Sequence, residues 1–159
     1  MPITMKLEGM DGITKALDEL GARGQSIASK GLYEGAGVIA DEVKKGAEKI
    51  KTAPFHYAVF VTRDPSPEEK QIVMDADAGI AKFKKTGSEV NTSVGYRNAG
   101  YAMLNGRRKP IPVIVNAINS GTSFMRKQPF FRQATSRGRT KAEEAIKEKI
   151  EAELEAITK

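Results

Sequence analysis

His56 is the one histidine in the chain, and it stands between Phe55 and Tyr57. A lone histidine can act as general base for a serine, but the serine must then be presented on a sharp strand-to-helix turn. Ser120 and Ser123 lack that context. The absence of cysteine excludes a thiolate nucleophile, a thiolate metal site and a disulfide. The run from Asp75 to Gly79 spaces two carboxylates like the start of a calcium loop, yet it lacks a third oxygen ligand before the glycine and a closing glutamate. Glu68/Glu69 and Glu143/Glu144 fall in first helical turns, where the helix dipole accounts for them without catalysis. No glycine-rich phosphate loop has the spacing that follows a strand. The expectation is a non-enzyme with no cofactor, no metal and no small-molecule substrate; any enzymatic reading has to use His56.

The charges are sorted along the chain. Residues 1–89 nearly balance, at a net of −1. From Val90 to Ala142 there are 10 Lys/Arg and no Asp or Glu, and from Glu143 to Lys159 the net is −3. An acid-free window of 53 residues in a chain with 20 acids points to an anionic partner or to an acidic surface on another subunit. Arg107, Arg108 and Lys109 form its densest run, read as an exposed loop that meets DNA or a protein partner. Arg126, Lys127, Arg132, Arg137, Arg139 and Lys141 follow. They could neutralise phosphates, with Tyr96, Tyr101 and Phe124 available to stack on bases, but no zinc-finger spacing or ribonucleoprotein motif accompanies them. No stretch approaches the roughly 20 apolar residues of a membrane span, and the first ten residues lack a signal-peptide core, so no membrane association and a cytoplasmic site of synthesis are expected.

The elements that must position these residues are legible from periodicity. Met10, Ile13, Leu17 and Leu20 share one helical face. Leu32, Ala36, Ile39, Val43, Ala47 and Ile50 make a longer stripe, with Pro54 as its stop. Gly31, Gly35, Gly37 and Gly46 lie in or beside it, which reads either as a weak helix rescued by packing or as close approach of another element, a neighbouring subunit included. His56 to Thr62 has strand character. Ser66, Pro67 and Glu69 spell a capping box that opens a helix carrying Ile72, Ala76, Ile80 and Phe83 on one face and closing at Gly87. Val90, Thr92, Val94 and Tyr96 alternate as in a half-buried strand, Tyr101 to Leu104 forms a short ordered piece, and Val113 and Val115 favour a strand from Ile111. Thr140 and Glu143 make a second capping box before Ile146, Ile150, Leu154 and Ile157. The predicted fold is one α+β domain over 1–159: a small, mainly antiparallel sheet packed by a long helix in the N-terminal half, a middle helix and a C-terminal helix.

Phe130 and Phe131, the only adjacent pair of phenylalanines, follow Pro129 inside the basic window. In an extended backbone the two rings point to opposite faces, one into the core and one toward a neighbour; the alternative is that both are buried locally. Gly121-Thr122 supplies the turn before them.

Gly121-Thr122-Ser123, a short spacer, Gln128-Pro129-Phe130-Phe131 and Ala134, followed by a charged amphipathic helix, resemble the tail-completion family of long-tailed (siphovirus-type) bacteriophages. The opening from Lys6 to Gly21, the helix ending at Ala53-Pro54 and the strand at Val94-Gly95 are similar to it as well. The resemblance covers both ends of the chain, more than half of it. Two features depart from the pattern: the family commonly has an acid where this chain has Asn119, and the stretch from Phe55 to Lys85 is longer than the usual connection.

The resemblance implies a structural virion protein, made in the host bacterial cytoplasm, that self-associates into a ring at the head–tail junction. Its partners would be portal-side connector and tail-tube proteins, with non-specific contact to DNA in the channel. Arg126, Lys127, Gln128, Phe130 and Phe131 are the expected subunit or partner contacts, and Arg107, Arg108 and Lys109 the expected DNA- or partner-facing loop. The alternative is a small basic nucleic-acid-binding protein.

Overall fold

The structure, a computed structural model, describes residues 3–4, 21–53, 62–87 and 89–158. The helix expected at Met10 to Leu20, the strand expected from His56 as far as Val61, and His56 itself lie outside the described residues. Four helices are described, α1 (Ala22–Glu48), α2 (Pro67–Asp75), α3 (Ile111–Ser120) and α4 (Phe130–Thr158). Seven short strands accompany them: β1 (Ile3–Thr4), β2 (Gly79–Ile80), β3 (Lys84–Thr86), β4 (Glu89–Asn91), β5 (Ser93–Gly95), β6 (Tyr101–Leu104) and β7 (Arg107–Pro110). The fold is α+β, but the strands make three small antiparallel sheets rather than one, in the orders β1-β5-β2, β3-β4 and β6-β7.

Helix α1 follows its apolar stripe. Leu32, Ala36, Ile39, Val43 and Ala47 are all buried, and Ile50 is buried just beyond the helix end. They face α4, which runs antiparallel to α1: Gly46 meets Phe130 and Ala134, Gly138 meets Ile39 and Glu42, Gly35 meets Ala142 and Ile146, and Gly31 meets Ile150. A Cβ on Gly35 would lie 2.5 Å from Ile146 Cδ1, and one on Gly46 3.1 Å from the Phe130 carbonyl oxygen. Three of the four glycines therefore serve close approach, and the approaching element is α4 of the same chain. Gly37, with nothing within 4 Å of its Cβ position, has no such role. Lys30 Nζ to Glu153 Oε2, at 2.6 Å, ties the far end of the pair. Within the seam the carboxylate of Glu42 accepts from Lys45 at 3.1 Å. That bond holds its pKa below the usual carboxylate range, with Lys141 and Arg137 adding to the effect.

The capping box of α2 is complete: Glu69 N–H donates to Ser66 Oγ at 3.1 Å and Ser66 N–H to Glu69 Oε2 at 2.8 Å. The helix is shorter than its periodicity suggests. Ala76 turns extended (φ −85°, ψ 114°), and the residues expected to continue the helix instead pair as β2 with β5 and as β3 with β4. Strand pairing with the Val94 region overrides the helical spacing. The two aspartates of the calcium-like run thus straddle a helix end, and no group of three or more metal-ligating side chains is found among the described residues.

Thr92, Val94 and Tyr96 are buried on one side, as the alternation predicts. The expected strand is nevertheless two, because Thr92 leaves the ladder and its hydroxyl donates to the Ala81 carbonyl at 2.7 Å. Strands β6 and β7 form a hairpin around Asn105 (φ 52°) and Gly106 (φ 71°), the paired positive-φ geometry of a type I′ turn. Arg107, Arg108 and Lys109 accordingly lie on a strand, not on a loop tip. The strand expected from Ile111 is helix α3: Pro112 sits in its first turn, where a missing N–H is harmless, and Ile111, Ile114, Val115 and Ile118 are buried at helical spacing. Helix α4 starts at Phe130 and runs unbroken through Thr140 and Glu143, both exposed, so their capping-box spacing marks no boundary. No described helix is long and apolar enough to cross a membrane.

Candidate functional site

The segment from Gly121 to Pro129, between α3 and α4, holds Arg126, Lys127 and Gln128 of the expected contact residues together with the Gly121-Thr122 turn. It is irregular in backbone yet bonded throughout. Gly121 ends α3 with φ 77°, a conformation that side chains rarely adopt, and its N–H closes on Ala117 O at 2.9 Å. The Thr122 hydroxyl oxygen accepts from the N–H groups of Phe124 (3.2 Å) and Met125 (3.0 Å). Arg63 then pairs across both sides of Met125: Arg63 N–H donates to Phe124 O at 2.9 Å, and Arg126 N–H to Arg63 O at 2.8 Å.

Gln128 acts as a clasp. Its side-chain amide donates to Lys51 O and accepts from Lys51 N–H, each at 2.8 Å, while its own N–H donates to Ile118 O at 2.8 Å. Asn119 Oδ1 accepts from Phe131 N–H at 3.2 Å and so satisfies one of the free donors at the start of α4. An acid at position 119 could accept the same bond and add its charge to the helix N-terminus.

Phe130 and Phe131 are both buried, at 5% and 6% exposure, because they lie in the first turn of a helix and not in an extended run. Phe131 meets Tyr96 edge-on at 6.1 Å and Phe130 at 6.4 Å. Burial pushes the Tyr96 hydroxyl up to about 12, with Asp77 contributing. The expected division into an inward and an outward ring is therefore replaced by two core rings, and Gln128 is turned onto Lys51.

The outward aromatic is Phe124, at 76% exposure. It precedes Met125, which is buried, and Arg126 follows on the exposed side, as alternation in an extended segment requires. Arg126 and Lys127 are exposed, with Arg126 Nη1 3.7 Å from Asp64 Oδ1. Phe124 next to a predicted turn, with Met125 as its inward neighbour, is the sequence signal for this exposed ring.

This loop rests on an ion pair. The Arg63 guanidinium forks onto Glu69 at 2.6 and 2.7 Å. Burial pushes the Glu69 pKa up, but the Arg63 bonds and the Ser66 N–H together outweigh it and hold the carboxyl below its ordinary range. The arrangement has no nucleophile and base in contact. An exposed aromatic ring near two exposed cations on a hydrogen-bonded backbone has the composition of an interaction hot spot. Arg107, Arg108 and Lys109, all exposed, form a second basic surface on β7, a separate element.

Compared with protein-family models, with curated proteins and with solved structures, the chain matches none.

Proposed function

We propose that the chain is a non-enzymatic structural protein of a bacteriophage or prophage, a tail-completion component that forms a ring between connector and tail tube at the head–tail junction. The observation that carries this reading is the Gly121–Pro129 loop. Hydrogen bonds to Lys51 beyond the end of α1, to α3 and to Arg63 hold it in one shape, while Phe124, Arg126 and Lys127 remain on the outside. A loop whose backbone is already fixed loses little conformational freedom on docking, which suits a surface whose work is assembly. The resemblance adds support, since its Gly121, Gln128, Phe130, Phe131 and Ala134 are the residues that join α3 to α4 and α4 to α1. Partners on this reading are neighbouring copies and the connector and tail-tube proteins.

The test is location. Virions are purified from the source and their necks searched for this chain by mass spectrometry and electron microscopy. A symmetric ring between capsid and tail is expected; absence of the chain from virions removes the reading. The nucleic-acid alternative predicts DNA affinity that falls linearly with salt on a log–log scale, with a slope of several phosphate contacts.

A further inference from the structure

The β6–β7 ribbon and the Gly121–Pro129 loop join opposite ends of α3, and their cations are differently placed. Arg126, Arg139 and Lys141 of the acid-free window lie beside Asp64, Glu143 and Glu42. Arg107, Arg108 and Lys109 of the ribbon are exposed and form no ion pair with a described acid.

Directly opposed residues of an antiparallel pair share a face, and faces alternate along each strand. Tyr101, Met103, Arg108 and Pro110 therefore lie on one face, and Ala102, Leu104, Arg107 and Lys109 on the other. On the second face Leu104 is buried and Ala102 half-buried, whereas Arg107 and Lys109 opposite them are exposed. The β6 half of the ribbon thus rests on the body of the molecule and the β7 half overhangs it. Among the described residues no third strand pairs with β7. Its open edge carries Arg108 on one side and Arg107 and Lys109 on the other.

Arg108 has an aromatic partner in place of an acid. Its Cζ lies 4.3 Å from the Tyr101 ring centroid, where guanidinium and ring attract each other. Tyr101 and Met103 remain 60% and 65% exposed. An exposed ring with a guanidinium against it is a platform on which an unpaired base can lie.

Two simpler readings leave part of this set unexplained. Charges on an edge strand discourage edge-to-edge pairing, but that gives the exposed tyrosine and methionine no role. A flat acidic protein surface meets one face of the ribbon, and so reaches Arg108 or the Arg107/Lys109 pair but not all three. A polyanion running along the β7 edge reaches both sides. Arg107 and Lys109, two residues apart on a strand, are spaced by about 7 Å, comparable to successive phosphates along an extended nucleic-acid strand.

We propose that the ribbon binds single-stranded nucleic acid, with phosphates along the open edge of β7 between Arg108 and the Arg107/Lys109 pair and one base stacked on Tyr101. A duplex offers the same phosphates but no unstacked base. The inference goes beyond the assembly reading and uses none of that loop's residues.

Fluorescence anisotropy of a labelled oligothymidylate, titrated with the full chain over a range of salt, tests it. Affinity falling linearly with salt on a log–log scale is expected, and no binding at low salt overturns the proposal. Tyr101→Ala should weaken binding about tenfold, while Tyr101→Phe, which keeps the ring, should not. Arg107→Ala/Lys109→Ala should make the salt slope shallower by about 1.4, the loss of two single-strand phosphate contacts. Lys84→Ala/Lys85→Ala removes the same charge from exposed positions on β3, in a different sheet, and should leave the slope as it is. Circular dichroism verifies that each variant folds. Equal losses from the two double variants, or an affinity indifferent to Tyr101→Ala, would mean that net charge alone binds and would sink the proposal. So would a duplex of the same length bound as tightly as the single strand. An Arg107→Ala/Lys109→Ala protein that keeps its oligonucleotide affinity but no longer joins heads to tails would hand the ribbon to a protein partner instead. Oligonucleotide binding by a chain absent from virions would remove the proposed function and leave this inference standing; virion necks containing a chain that binds no oligonucleotide would do the reverse.

Discussion

Helices α1 and α4 meet over about 30 Å, along a seam in which glycine hydrogens face isoleucine side chains and a carbonyl oxygen. The Gly121–Pro129 loop, by contrast, is fixed by hydrogen bonds from Thr122, Arg63, Gln128 and Asn119. In the seam, stability comes mainly from volume, and Glu42 is the one buried charged residue described there, held by Lys45. In the loop, burial is confined mainly to Met125, and polar bonds hold the shape. An element that must keep an aromatic ring in water cannot be stabilised by hiding that ring. The side chains around Phe124 supply the rigidity that packing supplies elsewhere.

The sharpest way to break this contrast uses two phenylalanines of the same segment. Phe131→Ala removes a core ring and should cost about 4 kcal/mol in urea unfolding, whereas Phe124→Ala should change stability by less than about 0.5 kcal/mol while abolishing head–tail joining. Equal losses of stability would erase the distinction between core and presented ring.

Next in size is Glu69→Gln, which removes the charge that the Arg63 guanidinium forks onto and should cost about 2 kcal/mol at neutral pH. The folded pKa of Glu69 is depressed. Its contribution is therefore fully present above the ordinary carboxylate pKa of about 4.3 and is lost as pH falls through the lower folded value. Urea midpoints should fall with acidification in the parent and less steeply in Glu69→Gln; parallel pH profiles would show that the pair does not anchor the loop.

The smallest effects separate the glycines. Gly35→Ala puts a methyl against Ile146 and should destabilise by about 1–2 kcal/mol even after the gain in helix propensity. Gly37→Ala meets nothing and should stabilise by about 0.5–1 kcal/mol. Thermal midpoints moving in the same direction would mean the seam is looser than its distances indicate.

These sites also mark what was legible in advance. The α1 stripe and the Ser66–Glu69 cap could be read because both are local patterns whose physics sits within a few residues. Helix α3 was misread because Val113 and Val115 carry β-branched chains, while the argument for a helix lies in the joint burial of Ile111, Ile114, Val115 and Ile118. The capping-box spacing puts the start of α4 eleven residues late. Its first turn is capped by Asn119, from before the loop, whereas Thr140 and Glu143 imitate a cap in mid-helix. Among the candidate site residues, Arg126 and Lys127 are exposed. Gln128 and the phenylalanine pair are turned inward, for reasons that involve Lys51 and Tyr96, remote in sequence.

The pairing of Gly46 with Phe130 and Ala134 also sets a clock. The α1 seam is synthesised about half a chain length before the helix that covers it. At ribosomal speeds that is a delay on the order of ten seconds. Through that interval the face of α1 that receives α4 lacks that helix, and the weak intrinsic propensity of a glycine-rich segment keeps it from persisting alone. The same glycines that admit α4 so closely therefore make the nascent segment a poor template for premature association, and they couple completion of the helix pair to the arrival of the last element.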